Sequence, residues 1–121
     1  MKLIVAGGRD FNDFHVVKMT MARLNLEISE IVCGMAQGAD MMGKMWAMGR
    51  GIPIKPFPAH WGTHGKAAGH IRNREMAAYA DALVAFWDGR SVGTHSMIQE
   101  ARKRGLKVWV FEYNGRPLNI K

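Results

Sequence analysis

Ala82-Leu83-Val84-Ala85-Phe86-Trp87-Asp88-Gly89-Arg90-Ser91-Val92-Gly93-Thr94 is the stretch on which the fold turns. Its first half is an unbroken apolar run, the pattern of a strand covered on both faces in a parallel sheet; a strand with one wet face would alternate. The run ends in glycines and hydroxyls, after which Thr94, Met97, Ile98 and Ala101 share one helical face that stops at Gly105. Strand, glycine turn and helix together form the repeating unit of a parallel α/β sheet. The turn also carries chemistry. Gly89 and Gly93 offer open backbone, Ser91 and Thr94 offer hydroxyls, and Asp88 opens the segment, all at a helix start whose dipole favours anions. Thr94 acting only as a helix cap is the plainer reading, and it still leaves the first N–H groups of the helix available.

A similar unit opens the chain. Lys2 to Ala6 reads as a strand and is followed by Gly7-Gly8-Arg9. A glycine pair alone can simply turn the chain, and neither a complete GxGxxG nor a P-loop is present. Directly after the two bare N–H groups that the pair would present, Arg9 adds a guanidinium that could grip phosphate bidentately or pair with a surface carboxylate. Asn12 or Asp13 would cap a first helix with Phe14, Val17, Met21 and Leu24 on one face. Glu30 to Cys33 is a second strand. The turn Gly34-Met35-Ala36-Gln37-Gly38-Ala39-Asp40 leads from it into a helix with Ala39, Met42 and Trp46 on one stripe. Gly34 and Gly38 leave room for a ligand, and Asp40 is either the N-cap or a contact to a ribose hydroxyl. Ile52 to Phe57 is a third strand, placed at an edge by its prolines. After a long loop, a helix runs from His70 or Ile71 to Tyr79; Lys107 to Phe111 is the last strand, and residues 113–121 form a loosely ordered tail.

Five strands alternating with four helices predict an α/β fold, a Rossmann-like three-layer sandwich with a five-stranded parallel sheet and right-handed crossovers, in one domain over residues 1–121. Ligands of such sheets bind beyond the carboxyl ends of the strands, where strand order reverses. With the order 3-2-1-4-5, the first and fourth strands are neighbours and their glycine turns converge on one crevice.

The loop from Pro58 to Gly69 holds Trp61, His60, His64 and Lys66, a composition suited to a flap over a ligand. Trp61 either stacks on a base or pins the loop to the body. His60 and His64 have the spacing of a helical metal site, but the surrounding glycines argue against a helix and no carboxylate or cysteine is nearby, so no metal is expected. Arg72 and Asn73, read as lying in the first turn of the helix after the loop, are placed to meet an anion.

Seventeen Lys and Arg against ten Asp and Glu give a net charge of +7, a field that attracts nucleotides, nucleic acids and acidic surfaces alike. Much of it lies in Arg102, Lys103, Arg104 and Lys107, near a helix end where cations also complement the dipole. Cys33 is the single cysteine, which excludes an intrachain disulfide and suits a small buried hydrophobe at a strand end. No stretch approaches the roughly 20 apolar residues of a membrane span, so a cytoplasmic protein without a membrane partner is expected.

Gly7-Gly8-Arg9, the Gly34 to Asp40 turn, Pro58-Ala59-x-Trp61, Gly65-Lys66-Ala67-Ala68-Gly69-x-Ile71-Arg72-Asn73 and Phe86-Trp87-Asp88-Gly89-x-Ser91-x-Gly93-Thr94 resemble the YspA/cpYpsA-related branch of the SLOG superfamily, kin to the Smf/DprA proteins and the LOG cytokinin-activating enzymes, and in particular its small bacterial and phage-encoded members. The resemblance implies a Rossmann-like fold and a site for a nucleotide-derived ligand. LOG enzymes cleave the N-glycosidic bond of nucleoside monophosphates with a glutamate three positions after the threonine of the glycine motif and an arginine on the preceding helix. Arg72 stands in the arginine's place, but Met97 stands in the glutamate's, and a thioether cannot stabilise an oxocarbenium-like transition state. Histidine also occupies positions 60 and 70, where an acidic residue and proline are usual in the branch.

The expectation from residues and resemblance together is binding, for sensing, sequestering or processing, of a phosphorylated nucleotide-derived small molecule such as an ADP-ribose-like one. The residues proposed to hold it are Gly7, Gly8, Arg9, Gly34, Gly38, Asp40, Trp61, Arg72, Asn73, Asp88, Gly89, Ser91, Gly93 and Thr94. No catalytic residue and no cofactor is assigned. The alternatives are a nucleotide N-glycosidase or phosphoribohydrolase related to LOG enzymes, and DprA-like binding of single-stranded DNA. A homodimer paired through helices is the expected assembly.

Overall fold

The computed structural model describes residues 1–118. Five strands, β1 (Lys2–Gly7), β2 (Glu30–Cys33), β3 (Ile54–Pro56), β4 (Ala82–Phe86) and β5 (Lys107–Phe111), form the parallel sheet that the alternating pattern predicts, in the expected order β3-β2-β1-β4-β5. Order reverses at β1, whose register with β4 runs from Leu3 opposite Ala82 to Gly7 opposite Phe86, so these two strands end together. β4 is buried at every position, whereas β3, with its prolines, forms one edge and is shorter than the sequence suggests.

Alternation within the strands divides the core between two faces. Leu3, Val5, Ile31, Val84 and Phe86 face α1 (Phe14–Leu24) and α2 (Ala39–Arg50), together with Phe11, Met21 and Trp46. Ile4, Ala6, Val32, Leu83 and Ala85 face α4 (Ala68–Tyr79) and α5 (Val92–Lys103), together with Met76, Met97 and Ile98. The α5 stripe of Thr94, Met97, Ile98 and Ala101 is buried as its spacing requires. Asp13 caps α1 by accepting from the N–H of Val16 at 3.2 Å.

Three local expectations are corrected. Pro58 to Gly69 is not a plain loop: it contains a short helix, α3 (Trp61–His64), and a 3-10 turn over Gly65–Ala67 that runs straight into α4. α4 therefore begins at Ala68, and Arg72 and Asn73 lie in its second turn, away from the unsatisfied N–H groups of the helix start. Beyond β5 the chain folds back, with Pro117 bridging antiparallel to Phe111 and the N–H of Leu118 donating to the Val110 carbonyl at 2.7 Å. Within that return, Tyr113 packs on Phe11 and donates to Asp10 at 2.6 Å; the remainder of the expected loose tail, residues 119–121, lies outside the described residues.

Among the described residues no helix is long and apolar enough to cross a membrane. The basic group around Arg102 to Lys107 sits at the end of α5 and the start of β5, the opposite end of the sheet from the strand exits. Lys103 pairs there with Glu100 at 3.7 Å.

Candidate functional site

The exits of β1 and β4 open into a cavity of about 430 Å³ walled by the β1 turn, α2, the Trp61 flap, α4 and the start of α5. Gly7, Gly8, Arg9, Asp40, Trp61, Arg72, Asn73, Ser91, Gly93 and Thr94 line it. Gly34 lines an adjoining cavity instead, while Gly38, Asp88 and Gly89 line neither.

The first glycine pair serves packing more than ligand contact. A Cβ at Gly7 would stand 2.3 Å from the Phe86 carbonyl oxygen and 2.8 Å from the Cβ of Ala39, so only glycine lets β1 end this close to β4 and α2. The N–H of Gly8 is not free for an anion, because it donates to the Phe86 carbonyl at 3.2 Å, and its carbonyl accepts from Phe11 and Ala39. The expectation that this pair offers bare N–H groups thus fails at Gly8. Gly38, at φ 80°, packs against the same turn: a Cβ there would lie 2.2 Å from the Gly8 carbonyl oxygen and 2.6 Å from that of Arg9.

The β4–α5 turn is held by Asp88, whose carboxylate accepts from the N–H groups of Arg90 and Ser91 at 2.8 Å each, which keeps its pKa below the usual carboxylate range. Asp88 therefore shapes the turn, with Gly89 at φ 81° beside it, and neither meets the cavity. Ser91, not Thr94, caps α5: its Oγ accepts from the Thr94 N–H at 3.3 Å and bonds the Thr94 hydroxyl at 2.9 Å. The N–H groups of Val92 and Gly93 have no acceptor among the described residues, and Gly93 lies on the cavity wall.

Asp40 is not a helix cap either. Gly38 occupies that position, and Asp40, in the first turn of α2, reaches back so that one carboxylate oxygen accepts from the Ala36 N–H at 3.3 Å. The other oxygen takes no hydrogen bond from the described residues, and the side chain is only 5% exposed. Burial lifts its pKa to about 6, against the downward pull of the Arg72 charge, the Ala36 N–H and Arg9. A carboxylate open only toward a cavity is suited to accept from a sugar hydroxyl.

Arg72 is oriented before any ligand arrives. Its Nη1 donates to the Gly34 carbonyl at 2.6 Å and its Nε to the Asn73 Oδ1 at 3.1 Å. Asn73, almost fully buried, donates in turn to the Gly93 carbonyl at 3.2 Å and the Ser96 hydroxyl at 3.4 Å, tying α4 to α5. Gly34 is needed because a Cβ would come within 2.7 Å of both Arg72 Nη1 and Asp40 Oδ2. Arg9 stands 6.0 Å above the Trp61 ring, which is half exposed and rests an edge over Gly69. The flap also brings His70 to the cavity, its Nδ1 2.8 Å from the Ser96 hydroxyl. Sequence reasoning passed over Lys66, His70, Met76 and the floor residue Met97 as site residues, although the flap's composition pointed toward the first two. Glu100 pairs with Lys103 and does not reach the cavity, so no carboxylate stands on α5 where LOG enzymes carry theirs. Among the described residues no group of three or more His, Cys, Asp or Glu is arranged to hold a metal.

Residues 1–64 match the family described as YspA, cpYpsA-related SLOG, and Gene 61 protein of Mycobacterium phage D29 is 45% identical over 84 residues, 64% of this chain and 67% of that protein. The chain belongs to the YspA/cpYpsA-related SLOG family. The match takes in Gly7-Gly8-Arg9, the Gly34 to Asp40 turn and Trp61, whereas Arg72 and the β4–α5 turn fall outside its 64 residues. Among solved structures, DNA processing protein A (DprA) from Streptococcus pneumoniae superposes with a TM-score of 0.74 at 20% identity, over 91% of this chain and 50% of that one. The likeness is one of fold, and this chain spans half the length of that relative.

Proposed function

We propose that this family member binds a phosphorylated nucleotide-derived small molecule in the crevice above β1 and β4. The observation that carries the reading is the convergence on one cavity of two arginines, Gly93 with its unbonded N–H at the start of α5, and a buried carboxylate with one open oxygen. Arg72 and Arg9 would neutralise phosphate, with the Gly93 N–H and the Ser91 hydroxyl completing its shell. Asp40 would accept from a ribose hydroxyl, and the half-exposed Trp61 ring would cover the base. The remaining residues act one step back: Gly7, Gly8, Gly38, Asp88 and Gly89 shape the turns, Gly34 admits Arg72, and Asn73 and Thr94 hold α4 and the α5 cap in place.

Thermal denaturation against a panel of mononucleotides, ADP-ribose, NAD and cyclic dinucleotides tests this directly. A ligand at 100 times its dissociation constant stabilises the fold by about 2.7 kcal/mol. An unmoved melting temperature across the panel at millimolar ligand would overturn the proposal.

Asp40 also favours a second reading, hydrolysis of an N-glycosidic bond, since a carboxyl with a pKa of about 6 is suited to proton transfer near neutrality. Release of free base from nucleoside monophosphates or ADP-ribose, followed by chromatography, separates that activity from binding alone. Single-stranded DNA is the third candidate ligand, supported by the +7 charge. Its affinity would fall steeply with salt as counterions are released.

A further inference from the structure

His70 on α4 and Ser96 on α5 meet side chain to side chain, with Nδ1 of the ring 2.8 Å from the serine Oγ. Either atom of such a pair can carry the proton, and here the neighbouring Asn73 decides which. Arg72 has only donors, so its Nε bond of 3.1 Å fixes Oδ1 as the acceptor of the Asn73 amide. The amide nitrogen therefore lies on the other side. It donates at 3.2 Å to the Gly93 carbonyl, which can only accept, and at 3.4 Å to Ser96 Oγ. Ser96 thus accepts from Asn73 and keeps its own proton, for which His70 Nδ1 is the one acceptor it meets among the described residues. With Nδ1 accepting, the neutral ring carries its hydrogen on Nε2.

The chain Arg72–Asn73–Ser96–His70 runs along the α4–α5 seam with every donor pointing the same way, so each bond polarises the next. Asn73, only 4% exposed, anchors it and also holds the Gly93 carbonyl, which fixes the ring relative to the first turn of α5. His70 lines the cavity above β1 and β4 and Ser96 does not, so the nitrogen left for a ligand is Nε2. Lys66, the Ser91 hydroxyl and Gly93 with its unbonded N–H line the same cavity. To these the relay adds a neutral donor of set direction, one that needs no protonation in order to donate.

We infer that His70 is a phosphate-binding residue of this cavity, donating through Nε2–H, and that Ser96 is the positioning residue that sets its tautomer. The inference rests on the nucleotide-binding reading and names a further contact of that site. Phosphate is the ligand group assigned to the start of α5, and Asn73 ties the ring to that helix start.

Two measurements on the full chain test it. His70 is exposed and Ser96 only partly buried, so neither substitution removes a core side chain. Long-range nitrogen–proton NMR correlations at pH 8, where an ordinary histidine is neutral, are expected to show His70 in the Nε2–H form, and Ser96→Ala to release it into a mixture of tautomers. The Nδ1–H form in the parent would overturn the relay. Titration calorimetry with AMP and adenosine reads the contact itself. His70→Ala is expected to weaken AMP about tenfold, the low end for a hydrogen bond to a charged group, and to leave adenosine unchanged. His70→Gln, whose amide N–H can reach the place of Nε2–H, is expected to recover most of that loss, and Ser96→Ala to weaken AMP severalfold. AMP unaffected by His70→Ala, or AMP and adenosine weakened alike, would overturn the phosphate contact while leaving the nucleotide site standing. Failure of the parent to bind AMP would remove the nucleotide reading and the contact with it, whatever the tautomer.

Discussion

Arg72 on α4 reaches the carbonyl of Gly34, at the exit of β2, with a hydrogen bond of 2.6 Å. One side chain thereby links a helix on one face of the sheet to the turn that leads into a helix on the other, and it lines both the cavity above β1 and β4 and the adjoining one. Because Nε is also taken by Asn73, the donors left for a ligand are fixed in direction, and binding does not have to order this long side chain.

Arg72→Ala is accordingly expected to weaken phosphorylated ligands roughly 10- to 100-fold, the span of a charge-assisted hydrogen bond of about 1.5–3 kcal/mol. Arg72→Lys keeps a charge but cannot serve Gly34 and Asn73 together, so only part of the affinity should return. Titration calorimetry on the three proteins measures this, and equal affinities for Lys and Arg would show that the fork has no part in binding.

Gly38→Ala and Gly89→Ala make a matched pair. Both residues have φ near 80°, which costs a side chain about 1–2 kcal/mol in the left-handed helical region and more at Gly38, whose ψ of −127° lies outside that region. A Cβ at Gly89 meets nothing within 4 Å, but at Gly38 it enters the carbonyls of Gly8 and Arg9, which cannot yield without moving the β1 turn. Urea denaturation should show Gly89→Ala losing about that backbone cost alone and Gly38→Ala losing clearly more. Equal losses would mean that the Gly34–Asp40 turn adapts freely.

The fates of these glycines show which parts were legible in the sequence. The β4 run and the α5 stripe could be read because burial imposes a local periodicity; alternation and right-handed crossovers predict the parallel sheet but allow several strand orders, so β3-β2-β1-β4-β5 was an expectation that the pairing of β1 with β4 had to bear out. The start of α4 was hidden because Gly69 sits inside the helix, under the Trp61 ring, where tertiary packing outweighs propensity. Gly8 looked like a ligand-facing amide because sequence cannot show that the Phe86 carbonyl, a long-range neighbour, takes its N–H. The Tyr113 contact with Asp10 spans 103 positions and left no local trace. Asp40 was read as either the helix cap or a ribose contact, both at the crevice; Gly38 takes the cap position without any side-chain bond, and Asp40 bonds back to the Ala36 N–H from the first turn, a geometry that no local sequence signal distinguishes from a cap.

Asp40 should make stability depend on pH in a definite sense. The folded carboxyl titrates at about 6 and the reference value is 3.8, so folding takes up a proton between those limits. Stability contributed by this group is therefore present at low pH, falls as pH rises through about 4 to 6, and is level above about 7. Asp40→Asn retains an oxygen to accept the Ala36 N–H but cannot ionise. Relative to the parent it should gain nothing near pH 4 and up to about 3 kcal/mol at pH 7.5. Paired denaturation curves from pH 4 to 8 measure the difference, and a difference that does not change with pH would refute the account of a carboxyl destabilised by burial.

Trp61 separates binding from folding. The ring is 51% exposed, rests against Gly69 and lies 6.0 Å from the Arg9 guanidinium. Removing it should cost the fold less than removing a core aromatic would, since half of the residue is already exposed. If it covers a base, the loss is one stacking contact, worth about 1–3 kcal/mol, so Trp61→Ala should weaken nucleotides about tenfold or more while inorganic pyrophosphate, which has no base, keeps its affinity. Trp61→Phe should recover most of the nucleotide affinity, because a smaller ring still offers a face. A ligand that quenches tryptophan fluorescence in the parent should lose much of that signal in both variants. Equal weakening of nucleotide and pyrophosphate in Trp61→Ala would instead assign the indole to positioning Arg9, and the base would have to lie elsewhere in the crevice.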